Sequence, residues 1–183
     1  MIDIIVSMIG IILLSPLFLL VIFLIKITMP GPILFKQKRA GKGNIIFDIY
    51  KFRSMKIDLK AEKNFDFDKD KNRVTKFGKL LRRYKIDETP QLFNVFKGDM
   101  SLVGPRPTIE KQTKNYTHEQ RKRLLMRPGM TGLAQVNGNI SNSWEKRIEY
   151  DLQYIRNFNI LLDSKIILKT FLIVLFGEEK FRK

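Results

Sequence analysis

Residues 4–25 carry no ionisable side chain and are almost all Ile, Leu, Val, Phe and Met. As one straight helix the segment would measure roughly 33 Å, about one hydrocarbon thickness. No positive residue precedes it and no small-residue cleavage site follows, so it reads as a retained anchor rather than a secretory signal. The bland alternative is a buried helix of a soluble core. Ser15–Pro16 sits in its middle, where proline removes a backbone hydrogen bond and predicts a kink, and the serine hydroxyl can satisfy a freed carbonyl. Two topologies follow: a helix that spans, leaving only residues 1–3 outside, or one that bends at Ser15–Pro16 and returns to the face it entered. Every one of the 34 Lys and Arg residues lies at Lys26 or beyond, which places the rest of the chain on the cytoplasmic side in either case. Asp3 is expensive to push across a bilayer and favours the re-entrant form.

Thirty-four basic residues stand against 18 acidic ones, a net charge of +16, and a balance that basic calls for a polyanionic partner: nucleic acid, an anionic membrane or a phosphorylated substrate. The chain has no cysteine, which excludes disulfides, thiol catalysis and zinc–thiolate sites. Its one histidine, His118, cannot build a zinc or iron cluster alone. Any metal must then be a hard cation held by carboxylates, with magnesium the first candidate.

Beyond Pro30–Gly31–Pro32, residues 33–38 and 44–52 are β-prone, and residues 39–43, beginning at Arg39, read as the loop of a hairpin. Residues 56–73 are dense in charge and predict a solvated loop or short surface helix. Asp66, Asp68 and Asp70 alternate like a calcium loop, but Lys71 stands where glycine is needed and Phe77 where glutamate is needed, so that site is rejected. Residues 74–84 predict a basic helix. Thr89–Pro90 predicts a helix start with threonine as cap, and Gly98 its stop. Thr117 and Gln120 form a capping box that puts His118 in a surface first turn. Residues 144–158 predict a further helix. Residues 160–176 are apolar but interrupted by Asp163, Lys165 and Lys169, which suits a helix lying at a membrane interface, with a core helix of the soluble domain the equal alternative.

Asp87 and Glu88 adjoin between a basic run and a helix start. Two carboxylates there repel each other and are stabilised by cations or by a divalent metal, an arrangement that suits phosphoryl transfer. Taken alone, such a pair is more often just acidic residues favouring a helix dipole. Residues 98–107 end in Pro105–Arg106–Pro107, where two prolines narrow the poses of one arginine and ready it to grip a phosphate or nucleotide.

Together, Lys51–Phe52–Arg53–Ser54–Met55, Asp87–Glu88 with Pro90–Gln91–Leu92 and Asn94, Lys97 through Pro107, Arg127–Pro128–Gly129, Thr131–Gly132 and Gln135–Val136–Asn137–Gly138 closely resemble the bacterial sugar transferases. More narrowly, the chain is similar to the small monotopic polyprenyl-phosphate phosphoglycosyl transferases over nearly its whole length. The resemblance implies an α+β fold, mainly helical, with a small β-hairpin, a re-entrant N-terminal membrane helix and interfacial amphipathic helices. Residues 1–29 would be the anchor, broken at Ser15–Pro16, and residues 30–183 the catalytic domain. It also implies that Asp87 attacks the sugar-bearing phosphate of a UDP-sugar, releasing UMP, and that a polyprenyl phosphate then takes the phospho-sugar. Glu88, with Asp87, would hold Mg2+. Lys51, Arg53, Pro105, Arg106, Pro107, Arg127, Gln135 and Asn139 fall on substrate-binding motifs. The implied place is the cytoplasmic face of the bacterial inner membrane, in the first membrane step of glycoconjugate assembly such as exopolysaccharide. Implied partners are membrane lipid and a second copy or glycosyltransferases of the same pathway. The length predicts no added spanning bundle or regulatory domain.

Two positions depart from the family pattern. Asn139 stands where an arginine is common, and no basic pair precedes the first helix. Two rival readings are a membrane-tethered nucleic-acid module, for which no recognition motif is present, and a catalytically idle scaffold, which requires an inert Asp87–Glu88 pair. The expectation is no nucleic-acid partner.

Overall fold

A computed structural model describes residues 2–57 and 73–177. The rejected calcium-type spacing at Asp66, Asp68 and Asp70, with most of the charged stretch around it, lies outside the described residues. Helix α1 runs over Ile2–Thr28 and stays helical through Pro16. The expected break at Ser15–Pro16 is therefore absent as a loss of helix, for a local reason. Pro16 cannot donate to the carbonyl of Ile12, and the Ser15 hydroxyl donates to that same carbonyl at 2.8 Å. One ladder bond is replaced, and the helix persists.

Only one stripe of α1 is covered: Phe18, Val21, Ile25 and the following Met29 join Phe52, Leu81 and Leu92 in the largest core cluster. Leu13, Leu19, Phe23 and Ile27 are exposed on its other faces, so the helix is long and apolar enough to cross a membrane. Both of its ends meet the same domain. At the start, Asp3 accepts hydrogen bonds from the Ser101 hydroxyl at 2.7 Å and the Leu102 amide at 3.2 Å. At the far end, the Met29 carbonyl accepts from Arg53 and its sulfur from Thr75.

Strands β1 (Leu34–Ala40) and β2 (Ile46–Phe52) form the predicted antiparallel hairpin, in register from Leu34 opposite Phe52 to Ala40 opposite Ile46. Arg39 belongs to β1 and not to the loop, because the β1–β2 ladder continues through Arg39 opposite Phe47. Helix α2 (Lys76–Arg83) starts at Thr75, whose hydroxyl accepts the Gly78 amide; Val74 precedes it in an isolated bridge to Met55. Helix α3 (Gln91–Lys97) ends on Gly98 at φ 84, the left-handed stop that glycine suits. Its start differs from expectation. Thr89 donates its hydroxyl to the Ile86 carbonyl instead of capping the helix.

Strand β3 (Ser101–Val103) pairs in parallel with β4 (Gly129–Thr131). Short helices α4 (Glu110–Thr113) and α5 (His118–Arg121) lie between them, α5 opening on the predicted Thr117–Gln120 capping box. After α6 (Leu133–Val136) come α7 (Trp144–Arg156) and α8 (Ile160–Phe176). Helix α8 has one packed face and one exposed apolar face. Ile166 and Ile173 pack with Val103, Val136 and Tyr154, while Leu161, Leu168, Phe171 and Leu175 remain exposed. Lys169, one of the charges interrupting the apolar run, donates to the Asn137 side chain at 2.8 Å.

The chain after β3 is packed backbone against backbone. A Cβ on Gly132 would stand 2.1 Å from the Gly104 carbonyl oxygen, and one on Gly129 would stand 2.1 Å from the Gly104 nitrogen. These motif glycines therefore serve a chain crossing beneath Pro105. Gly132→Ala is expected to lower stability by roughly 1–3 kcal/mol through overpacking, read from the urea midpoint. An unchanged midpoint would show that the crossing can relax.

Candidate active site

Asp87 and Glu88 occupy a 3₁₀ turn, Ile86–Glu88, between α2 and α3. The chain enters it through Lys85 at φ 55, a left-handed conformation that a non-glycine residue adopts only when its surroundings hold it there. Asp87 is 8% exposed, and no hydrogen bond among the described residues reaches its Oδ1. Burial, then the neighbouring Glu88, raise its carboxyl above the usual aspartate range, while Lys51, Arg82 and Lys85 pull the other way.

Glu88 is the opposite case. Its Oε1 accepts from Lys51 Nζ at 2.5 Å and from Arg106 Nη2 at 3.1 Å. Burial alone would raise its carboxyl, but Arg106 and Lys51 hold it well below the usual range. Two adjacent carboxylates are thus driven apart by environment, Glu88 below and Asp87 above the usual carboxylate range. Lys51 comes from β2 and Arg106 from the loop after β3, so three chain segments converge on this pair.

That loop is fixed from several sides. Gly104 N donates to Thr131, Gly129 N to the Pro105 carbonyl, and Ala40 N to the Thr108 carbonyl at 2.8 Å. The Arg106 carbonyl accepts from Arg123 Nη2 at 3.2 Å. Arg123 is itself buried against Asp151 at 2.5 Å, donates to the Tyr116 hydroxyl, and lies 5.2 Å from the Trp144 ring centre. Burial pushes the Asp151 carboxyl up to about 6 against the pull of Arg123.

Of the residues marked by motif, Asp87, Glu88, Lys51 and Arg106 come together, with Pro105 and Pro107 framing Arg106. Four do not join them. Arg53 is buried and donates to the Met29 carbonyl, bracing the junction of α1 with the hairpin rather than facing the carboxylates. Arg127 is exposed and lies beside Gly98, at the far end of α3. Gln135 lies against Gly132, its amide nitrogen and oxygen both buried without a partner among the described residues. Asn139 is buried and opens the 3₁₀ turn Asn139–Ser141 at φ 43.

Two residues near the site carried no motif. Arg39 Nη2 donates to Gln37 Oε1 at 2.5 Å, on the same face of β1, and its Nε is buried without a partner among the described residues. Burial first, then Arg106, push its guanidinium down to about 10, with Glu88 opposing. The period-two spacing of Gln37 and Arg39 was the available signal. For Arg123 there was none, since its partner is 28 residues away on α7.

A carboxylate with one oxygen unbonded among the described residues, a second one clamped by two cations, and an arginine on a braced loop are groups whose chemistry suits phosphate esters. The family model for bacterial sugar transferases matches residues 1–177, and the chain belongs to that family. It is 44% identical over 182 residues to a UDP-N-acetylgalactosamine-undecaprenyl-phosphate N-acetylgalactosaminephosphotransferase of Aeromonas hydrophila, covering 96% of this chain and 43% of that protein. It is also 42% identical over 180 residues to the exopolysaccharide production protein PSS of Rhizobium leguminosarum bv. phaseoli, covering 92% of this chain and 90% of that protein. A UDP-glucose:undecaprenyl-phosphate glucose-1-phosphate transferase of Klebsiella pneumoniae is 44% identical over 176 residues, covering 92% of this chain and 38% of its own length. The chain thus spans less than half of the Aeromonas and Klebsiella proteins and most of the Rhizobium one.

Proposed function

We propose that the chain is a polyprenyl-phosphate sugar-1-phosphate transferase working through a covalent aspartyl intermediate. The observation that carries this is Asp87: a buried carboxylate with an unpartnered oxygen, beside a Glu88 whose charge is already matched by Lys51 and Arg106. Asp87 attacks the sugar-bearing phosphorus of a UDP-sugar, a bond forms from its carboxylate oxygen, and the bond to the bridging oxygen breaks to release UMP. The phosphate oxygen of a polyprenyl phosphate then attacks the same phosphorus. The aspartyl–phosphorus bond breaks, the carboxylate is restored, and a polyprenyl diphosphate sugar departs. Lys51 and Arg106 orient Glu88 and offset charge gathering on the phosphoryl oxygens.

Magnesium fits the donors. Among the described residues no three His, Cys, Asp or Glu side chains gather, so an all-protein cage is absent. Two carboxylate groups with substrate phosphates and water are what magnesium commonly takes. Asp87 and Glu88 would hold it, and bound there it would neutralise phosphate charge.

The lipid acceptor sets the location. The uncovered faces of α1 and α8 both need an apolar medium. Asp3 bonded to β3 puts the start of α1 on the same side as the site, which supports a re-entrant anchor with the catalytic domain at the cytoplasmic face of the inner membrane. The test is UMP release over a panel of UDP-sugars with a polyprenyl phosphate, with magnesium and with chelator. One donor should release UMP, and chelator should abolish release. No release from any donor would favour the scaffold reading instead.

A further inference from the structure

Arg39 and Arg106 stand at one corner of the site with less negative charge than they need. The end of β1 is bound to the arginine loop by the Ala40 to Thr108 hydrogen bond, and Ala40 and Gly41 line one cavity with Pro105, Arg106 and Pro107. Arg39 is therefore held next to the loop that carries Arg106. Its Nη2 is fixed by a neutral amide, Gln37, and its Nε is buried without an acceptor among the described residues. Arg123, in contrast, has a buried carboxylate beside it in Asp151. Among the described residues Glu88 accepts no hydrogen bond from Arg39, its Oε1 being bonded to Lys51 and Arg106. Lys51, Arg39 and Arg106, with Arg82 and Lys85 also bearing on Asp87, outnumber the two carboxylates Asp87 and Glu88 and leave an excess of positive charge. A diphosphate ester carries two negative charges.

We infer that Arg39 binds the departing nucleoside monophosphate, taking the phosphate charge that appears when the bond to the transferred phosphorus breaks. The inference rests on the function proposed above and adds a role to it. The direction follows from the order of groups across the site. Asp87 adjoins Glu88, Glu88 bonds Lys51 and Arg106, and the charges that bear on Arg39 are those of Arg106 and Glu88 and not that of Asp87. In a displacement at phosphorus the attacking and leaving oxygens are roughly in line on opposite sides. The guanidinium on the side away from Asp87 meets the leaving group. Arginine suits this place, since its planar fork can take two phosphate oxygens at once.

The two half-reactions separate this role from a structural one. Arg39→Gln is expected to slow adduct formation from the UDP-sugar roughly 10- to 100-fold, the worth of a hydrogen bond to a charged group, and to weaken UMP product inhibition by a similar factor. Arg39→Lys should recover part of both. Transfer from a preformed adduct to polyprenyl phosphate should keep its wild-type rate, because UMP has already left. Equal slowing of both half-reactions, or unchanged UMP inhibition, overturns the inference and leaves the transferase reading intact. If the wild type forms no adduct, the transferase reading falls, and calorimetric UMP binding by wild type and Arg39→Gln still decides whether Arg39 holds a phosphate. Should Arg39→Gln not fold, Gln37→Ala, which removes the amide that holds Arg39 Nη2 in position, must weaken UMP inhibition as well or the inference fails.

Discussion

Asp87→Asn should abolish both UMP release and the sugar-phosphate adduct while raising the melting temperature of the protein. The two effects come from one carboxylate. Loss of a nucleophile typically lowers turnover by on the order of 10⁴-fold or more, and asparagine cannot form the ester. The stability effect follows from the raised Asp87 carboxyl, whose causes are burial and Glu88. A carboxyl raised in the folded state binds its proton more tightly folded than unfolded. Stability is therefore greatest below the unfolded value and declines as pH climbs through the folded one, so at neutral pH the ionised Asp87 works against folding. Asparagine is nearly isosteric and carries no charge, and the strain disappears with the chemistry. Intact mass after incubation with donor reads the first effect and a thermal scan the second. Turnover retained by the variant would end the assignment of Asp87. A melting temperature that falls would show that Lys51, Arg82 and Lys85 outweigh burial.

The same raised carboxyl governs the pH dependence of the wild type. Attack requires the ionised form, so adduct formation should fail on acidification at a pH above the ordinary aspartate range.

Local rules reached far along this chain where one segment decides the outcome. Helix α8 begins and ends at the residues its apolar pattern marks, Gly98 stops α3 in the left-handed conformation, and Thr117 with Gln120 closes its capping box. The hairpin is legible too, but its five-residue loop lies two positions further along, at 41–45 rather than 39–43. The sequence reading puts Arg39 in that loop, whereas the ladder runs on to Ala40. Thr89 was expected to cap α3, yet its hydroxyl turns back to Ile86, which the 3₁₀ turn puts within reach. The convergence of Lys51, Glu88 and Arg106 was visible only as a family pattern, because no spacing rule joins a strand, a turn and a loop. Arg53 shows the limit of that pattern. It sits in the same motif as Lys51, two residues on, and its burial takes it to Met29.

Asp151→Ala should destabilise the fold by about 3–5 kcal/mol, the usual result of leaving a buried charge without its partner. Arg123 and Asp151 have side chains only 4% and 1% exposed, and nothing else of negative charge bonds Arg123 among the described residues. The pair is not a free gain, since burial pushes the Asp151 carboxyl up to about 6 even beside Arg123. Replacing both members with apolar residues of similar size, as in Arg123→Met with Asp151→Leu, should therefore recover most of the lost stability. It should not recover activity. Arg123 Nη2 is the donor that holds the Arg106 carbonyl, and methionine offers none. Urea unfolding of the single and double variants measures the first expectation, and adduct formation measures the second. A double variant that regains stability and wild-type adduct formation together would show that Gly104, Pro105 and Thr108 hold the loop unaided, and that the buried pair serves the fold alone.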